Sequence, residues 1–134
     1  MCVSFFSYRA HPRYPFVLLH NRDEAYERPT LSMHFWESDS HVLAGKDLQA
    51  GGAWLGVSRY RRLAWVTNIR SQRKPLETPK SKSRGELVRS FLLSQASYTE
   101  WSKEFPFDSY FDFNLVAWDG TRLVFRSSDG YDQE

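Results

Sequence analysis

The chain has 134 residues, of which 41% are hydrophobic and 25% charged, and its formal net charge is +2. This length allows one domain at most and lets it bury about two thirds of the surface of the unfolded chain. The small net charge gives no argument for nucleic-acid binding. The single cysteine excludes an internal disulfide, the apolar runs are too short to span a membrane, and no secretory signal is visible. We therefore expect a soluble cytoplasmic protein.

The only cysteine, Cys2, directly follows the initiator Met1 and heads an apolar run. If Met1 is removed, Cys2 carries a thiol and a free α-amino group on one residue. This pair can act as nucleophile and base, because an α-amine titrates near pH ~8 and accepts the thiol proton. The alternative is a small buried residue that opens a strand, which is the more common role of a single cysteine.

The first 24 residues predict a hairpin that ends in a charged cluster. Val3–Tyr8 is rich in β-branched and aromatic residues, and two prolines mark a turn before Phe16–His20. The second run is continuously apolar, which predicts a strand buried on both faces. The cluster Asn21-Arg22-Asp23-Glu24 follows directly, and the hairpin would bring it close to the amino terminus. The alternative is a charged turn in which Arg22 pairs with Asp23 or Glu24.

The middle of the chain predicts an irregular segment, a short strand and a second hairpin. Ala25–Glu37 has no clean period, whereas His41–Gly45 is a short strand. Gly51-Gly52 indicates a tight turn or a close backbone approach. Trp54–Ser58 and Arg62–Asn68 form the hairpin, and its last residue is an amide that suits either an oxyanion donor or a turn.

The last half predicts a basic loop, two helices and a final hairpin. Residues 69–82 are basic and proline-containing, typical of a mobile exposed loop. A solvated loop is the more common role of such a segment, but its cations, together with the one that follows it, could meet an anionic ligand such as a phosphate. These cations are Arg70, Arg73, Lys74, Lys80, Lys82 and Arg84. Ser83 and Glu86 have the spacing of a capping box, so a helix is predicted from Arg84 to about Gln95. A second helix would start after Ser97 and end before Pro106, and residues 113–118 and 123–127 would form the hairpin. Strands dominate, so the fold class is α+β with mostly antiparallel sheets.

The motifs together resemble one family. The chain starts Met-Cys, carries Asn21-Arg22-Asp23-Glu24 after an apolar strand, and has Tyr26-Glu27-Arg28-Pro29 behind it. The further matches, in family order, are Phe35-Trp36, Leu43–Leu48, Gly51–Val57, Thr67-Asn68, Ser83–Val88 and Phe113–Leu115. The ordered set resembles the NRDE family, the family of transport and Golgi organisation protein 2. Asp112 departs from the glycine that usually precedes Phe-Asn-Leu in this family.

The resemblance implies a fold and a set of catalytic residues. Such proteins look related to the N-terminal nucleophile hydrolases, which cut amides and fold as an αββα sandwich of two antiparallel sheets between helical layers. By that resemblance Cys2 would be the nucleophile, Asp23 with Arg22 would position its thiol and amine, and Asn68 would help hold the oxyanion. Gly51 and Gly52 match a family turn and receive no chemical role.

Family members are roughly twice as long, and their second half carries a Gly-Leu-Ser-Asn stretch that this chain lacks. Residues 1–134 would then be a single, truncated NRDE-like domain. Half of such a sandwich would leave apolar faces or strand edges uncovered, so self-association or marginal stability is expected.

Two functions remain open at this point. The first is a cysteine amidohydrolase or acyl-transfer enzyme that needs no cofactor and no metal. The second, also implied by the resemblance, is a non-catalytic binding or trafficking protein for haem, acyl-coenzyme A or lipid. The four histidines, which are candidate haem contacts, are scattered and form no ligand motif. We expect a small acyl, amide or haem-like ligand, and neither nucleic acid nor an integral membrane location.

Overall fold

The computed structural model describes residues 2–69, 82–128 and 132–133 of the chain. The predicted basic loop lies mostly outside these ranges, because residues 70–81 are not described. The strands of the described ranges are β1 Val3–Tyr8, β2 Phe16–Asn21, β3 Thr30–Phe35, β4 Val42–Asp47, β5 Leu55–Ser58, β6 Arg62–Asn68, β7 Phe113–Trp118, β8 Leu123–Ser127 and β9 Asp132–Gln133. Two helices, α1 Gly85–Leu93 and α2 Tyr98–Glu104, follow β6, and a 3-10 turn covers Phe107–Ser109.

The strands form two antiparallel sheets. β1 and β2 make a two-stranded hairpin, whereas β3 to β9 form a seven-stranded sheet in which the spatial order is the chain order. Among the described residues, the helices lie in the β6-to-β7 connection of this larger sheet. The predicted α+β class with antiparallel sheets is confirmed. In the described ranges no helix is long and apolar enough to cross a membrane.

The large sheet separates two apolar layers. Because side chains alternate along a strand, Val66 and Leu115 face the helices, where they join fully buried Leu87 and Phe91 of α1 in one cluster. Trp65, between Ala64 and Val66, points to the opposite face and joins the cluster that includes Phe16 of the hairpin. Full burial of one such side chain contributes roughly 1.5–3 kcal/mol.

The hairpin covers the sheet with one face only. Phe5 and Leu19 are paired across the hairpin, and they remain 67% and 68% exposed. Val17 is also exposed, so the prediction that the second strand is buried on both faces is wrong. A continuous apolar run does not fix how many layers pack on a strand, and within the described ranges no element covers this face. Self-association through it stays a prediction.

Two local predictions need correction. The segment predicted as irregular contains β3, whose pairing with β4 shifts register between Leu31 and His34; this bulge interrupts the period that marks a strand. The capping box predicted at Ser83 and Glu86 does not form, since Arg84 is the N-cap residue and offers no side-chain cap. Glu86 instead hydrogen-bonds Tyr110, whose pKa is raised by burial and by that carboxylate.

The end of α1 and the start of α2 follow local backbone chemistry. α1 ends at Leu93, earlier than predicted, because Ser94 adopts an extended ψ of 148°. A capping box forms at the start of α2: the Ser97 hydroxyl accepts the Glu100 N–H, and the Glu100 carboxylate accepts the Ser97 N–H. The Tyr98 N–H of the same first turn donates to the Asp119 carboxylate at 3.0 Å. The β7–β8 turn therefore holds the start of α2.

The lowered pKa of Asp119 should make the free energy of unfolding depend on pH. Burial on its own would raise the pKa of its carboxyl, but N–H groups of Arg122, Tyr98 and Thr121 and the Thr121 hydroxyl donate to it and lower its pKa to about 2. The pKa of Asp119 is lower in the folded chain than in the unfolded chain, where it is ~3.9, so the ionised carboxylate stabilises the fold above that pH. This stabilisation is lost as the pH falls through about 2. Asp119→Asn should lower the free energy of unfolding by about 1–2 kcal/mol at pH 7, measured by urea unfolding.

The difference in the free energy of unfolding between Asp119→Asn and the wild type should become progressively smaller below pH ~4. The control is Asp39→Asn, which removes a carboxylate that pairs with Arg89 at 3.6 Å on the surface; it should change stability by less than about 0.5 kcal/mol. A difference for Asp119→Asn that is small and constant with pH would contradict this role.

Candidate functional site

A cavity of about 310 Å³ opens where the hairpin meets the large sheet. Its lining includes all four residues that the sequence predicted for catalysis, Cys2, Arg22, Asp23 and Asn68. The other side chains used below also line it: Glu24, Arg28, Asp47, Trp54, Arg84 and Phe111. The structure thus brings the predicted residues together, whereas their catalytic roles stay predictions.

The hairpin register places the cysteine against the charged cluster. Val3 pairs with Asn21, so Cys2 and Asp23 extend beyond the paired ends of the two strands. The Asp23 N–H donates to the Cys2 Sγ at 3.5 Å, and the thiol lies 3.9 Å from the Asp23 carbonyl oxygen. The prediction that the hairpin brings the cluster to the amino terminus is confirmed. The contact to the thiol comes from the backbone of Asp23.

Arg22 is fixed by an aromatic ring and by a carboxylate. Its guanidinium carbon lies 4.5 Å from the centroid of the Trp54 ring, and its Nη2 lies 3.8 Å from the Glu24 carboxylate. The charged-turn alternative is therefore correct as far as the Arg22–Glu24 pair is concerned. The same side chain also lines the cavity, so the ion pair with Glu24 does not remove it from the site.

Arg28 and Asp47 form the shortest ion pair among the described residues of the site, and neither was assigned a role from the sequence. The Nε and Nη2 atoms of Arg28 donate to one Asp47 oxygen at 2.9 and 2.6 Å. Burial on its own would raise the pKa of Asp47, but Arg28 and the N–H groups of Ala50 and Gln49 donate to it and hold its pKa below the usual value. Both residues lie in segments that match the family, and this match was the one indication in the sequence that they belong to the site.

A close backbone contact joins the 51–53 turn to the start of α1. The Ala53 N–H donates to the Gly85 carbonyl oxygen at 3.0 Å. A Cβ added to Gly52 would lie 2.4 Å from the Gly85 carbonyl carbon, which explains why a glycine stands there. This contact holds Arg84, the residue before Gly85, at the wall of the cavity. The sequence indicated a close approach at Gly51-Gly52 without identifying its partner.

Asn68 ends β6 at the same rim. It pairs with Phe113 of β7, is exposed, and lines the cavity.

The four histidines, all within the described residues, do not gather at the cavity. His20 lies beside Ser4, with 2.7 Å between Nδ1 and the hydroxyl oxygen, and His34 Nδ1 lies 2.7 Å from the Ser32 carbonyl oxygen. His11 accepts two turn N–H groups, and His41 stacks on Tyr60. The described residues contain no group of three His, Cys, Asp or Glu side chains that could hold a metal ion.

Fold and site define a class: an α+β protein of antiparallel sheets with a cysteine near its amino terminus at a charged cavity. A sequence profile of the Transport and Golgi organisation 2 family matches residues 1–133, and the chain belongs to this family. The chain is 36% identical over 128 residues to the mouse Transport and Golgi organization 2 homolog and 34% identical to the human homolog. Each match covers 89% of this chain and 45% of the relative, so the chain spans about half the length of these relatives.

A third relative extends the comparison to insects. The Transport and Golgi organization protein 2 of Drosophila melanogaster is 32% identical over 101 residues, which cover 69% of this chain and 35% of that protein.

Gly52→Ala tests the backbone contact that holds Arg84. A Cβ at 2.4 Å from backbone forces the turn and α1 apart, so the free energy of unfolding should fall by about 1–3 kcal/mol, measured by denaturant unfolding. Ala50→Ser, an exposed change in the same turn, should cost less than about 0.5 kcal/mol. Equal stability of the two variants would refute the close approach.

Proposed function

We propose that the chain carries the nucleophile half of a cysteine amidohydrolase or acyl-transfer site of the N-terminal nucleophile type. The observation that carries this proposal is the Asp23 N–H directed at the Cys2 sulfur inside a cavity that Arg22 and Asn68 also line. A preorganised N–H donor stabilises negative charge where it develops, here on sulfur. A buried structural cysteine would have no need of a charged cavity around it.

The proposed reaction uses the α-amino group that removal of Met1 exposes. The amine takes the thiol proton, and the thiolate attacks the carbonyl carbon of the substrate to form a C–S bond. The oxyanion of the tetrahedral intermediate accepts a hydrogen bond from the Asn68 side-chain amide. The C–N bond, or the C–S bond of a thioester substrate, then breaks, and the leaving group takes the proton from the α-ammonium group.

Water completes the cycle. The α-amine takes a proton from water, the hydroxide attacks the acyl-thioester, and the C–S bond to Cys2 breaks to release the acid and regenerate the thiol. In this scheme the Asp23 carboxylate orients the amine, while the backbone N–H of Asp23 supports the sulfur. Asp23 and Cys2 line the same cavity, which supports these two roles.

Hydrolysis of a series of acyl amides and thioesters tests the proposal, with intact mass used to select protein that has lost Met1. Cys2→Ala should abolish turnover because no nucleophile remains. Asp23→Asn keeps the backbone N–H and removes only the charge, so its kcat/KM should fall about 100-fold. Asn68→Ala should lose about 100-fold in kcat through the missing oxyanion donor.

Asp39→Asn is the matched control, since that carboxylate pairs with Arg89 on the surface, and it should keep full activity. Turnover that survives Cys2→Ala, or an Asp23→Asn variant as active as Asp39→Asn, would contradict the assignment. Absence of turnover in protein free of Met1 would leave ligand binding as the function of the cavity.

A further inference from the structure

Three arginines of the described ranges line the cavity, and two of them are paired with carboxylates. Arg28 pairs with Asp47 at 2.6 Å and lies 3.7 Å from Glu24. Arg22 lies 3.8 Å from Glu24 and stacks on an indole ring. The charge of these two side chains is therefore balanced by the protein itself.

Arg84 differs from both. Its Nη1 donates to the Asp112 carbonyl oxygen at 3.0 Å, and its guanidinium carbon lies 5.8 Å from the Phe111 ring centroid. Within residues 2–69, 82–128 and 132–133, no carboxylate lies within 4.0 Å of this guanidinium. Among the described residues, one neutral oxygen and one aromatic ring are the contacts of this side chain, which leaves most of its five N–H groups available.

Burial makes the charge of Arg84 energetically costly. Burial lowers the pKa of Arg84, while the more distant negative charges of Glu24 and of a Cys2 thiolate act in the opposite direction. An arginine nevertheless stays charged at neutral pH. A desolvated guanidinium is stabilised by an anion that replaces its lost hydration, and its planar fork matches carboxylate and phosphate oxygens.

The backbone N–H groups of α1 do not supply this site. The Gly85 N–H donates to the Ser83 hydroxyl, and the N–H groups of Glu86 and Leu87 donate to the carbonyl oxygens of Ser83 and Arg84. These three N–H groups are therefore used within the turn, and the proposal below rests on the Arg84 side chain.

We propose that Arg84 binds an anionic group, a carboxylate or a phosphate, of the ligand whose acyl carbon reaches Cys2. The exposed Phe111 ring beside it offers an apolar surface to the part of the ligand next to that anion. This inference rests on the proposed function for the identity of the reacting carbon. The anion site itself can be tested without any turnover.

The test compares two alkylating reagents of nearly equal size at Cys2. Iodoacetate carries a carboxylate and iodoacetamide is neutral, and intact mass follows both reactions at the single thiol. Arg84→Gln should lower the ratio of the iodoacetate rate to the iodoacetamide rate about three- to tenfold, as expected for one partly screened charge. Any general change in thiol reactivity cancels in this ratio.

Two further variants separate binding from structure. Arg84→Lys retains the charge and should keep most of the ratio. Arg89→Gln removes a cation from the same helix whose partner is Asp39, and it should leave the ratio unchanged. An Arg84→Gln ratio equal to that of the wild type would overturn the proposal.

Competition identifies the anion. Inorganic phosphate or acetate that slows iodoacetamide labelling of the wild type, but not of Arg84→Gln, assigns a phosphate or a carboxylate ligand, respectively. Protection by neither anion would overturn the site. Because these readouts need only a reactive thiol, a chain without hydrolase activity can still confirm the anion site, and an active chain can still fail to show it.

Discussion

The packing of the amino-terminal hairpin on Trp65 is the contact on which the site depends. The Trp65 side chain is 1% exposed, and the rings of Phe6 and Phe16 lie 5.3 and 6.0 Å from its ring centroid in edge-on contacts. These rings fix the position and the tilt of a hairpin that has no other sheet partner in the described ranges. Since Cys2 and Asp23 extend from its paired ends, the same contact fixes the thiol relative to the sheet that carries Asn68.

Local patterns predicted most of the elements and the gathering of the site. A short turn between two apolar runs makes an antiparallel hairpin almost unavoidable, so the proximity of Cys2 to Asp23 followed from the sequence. The number of layers on the hairpin could not be predicted, because a run such as Val17–Leu19 looks the same whether one or both faces are covered. The ion pair between Arg28 and Asp47 was also missed, since pairs between distant segments leave no local pattern. Arg84 was included only in a run of basic residues that could meet an anionic ligand.

The distribution of charge gives the cavity its chemical character. Arginines and carboxylates alternate around a thiol, and the pairs Arg28–Asp47 and Arg22–Glu24 hold the walls in place. Arg84 alone among these arginines lacks a carboxylate neighbour in the described part of the chain. The chain spans about half of its mouse and human relatives, and its hairpin exposes an apolar outer face. Cys2 and the side chains that line its cavity therefore lie in the part of the relatives that this chain matches.

The rate at which iodoacetamide alkylates Cys2, compared between the folded chain and the same chain unfolded in urea at one pH, tests the central claim most directly. If the hairpin presents the thiol to the Asp23 N–H and to the arginines of the cavity, the folded chain should react faster although its thiol is half-buried. Intact mass in the same experiment reports whether Met1 is present. A folded chain that reacts more slowly than the unfolded chain would mean that Cys2 is a packed structural residue, and the account of a nucleophile would be wrong.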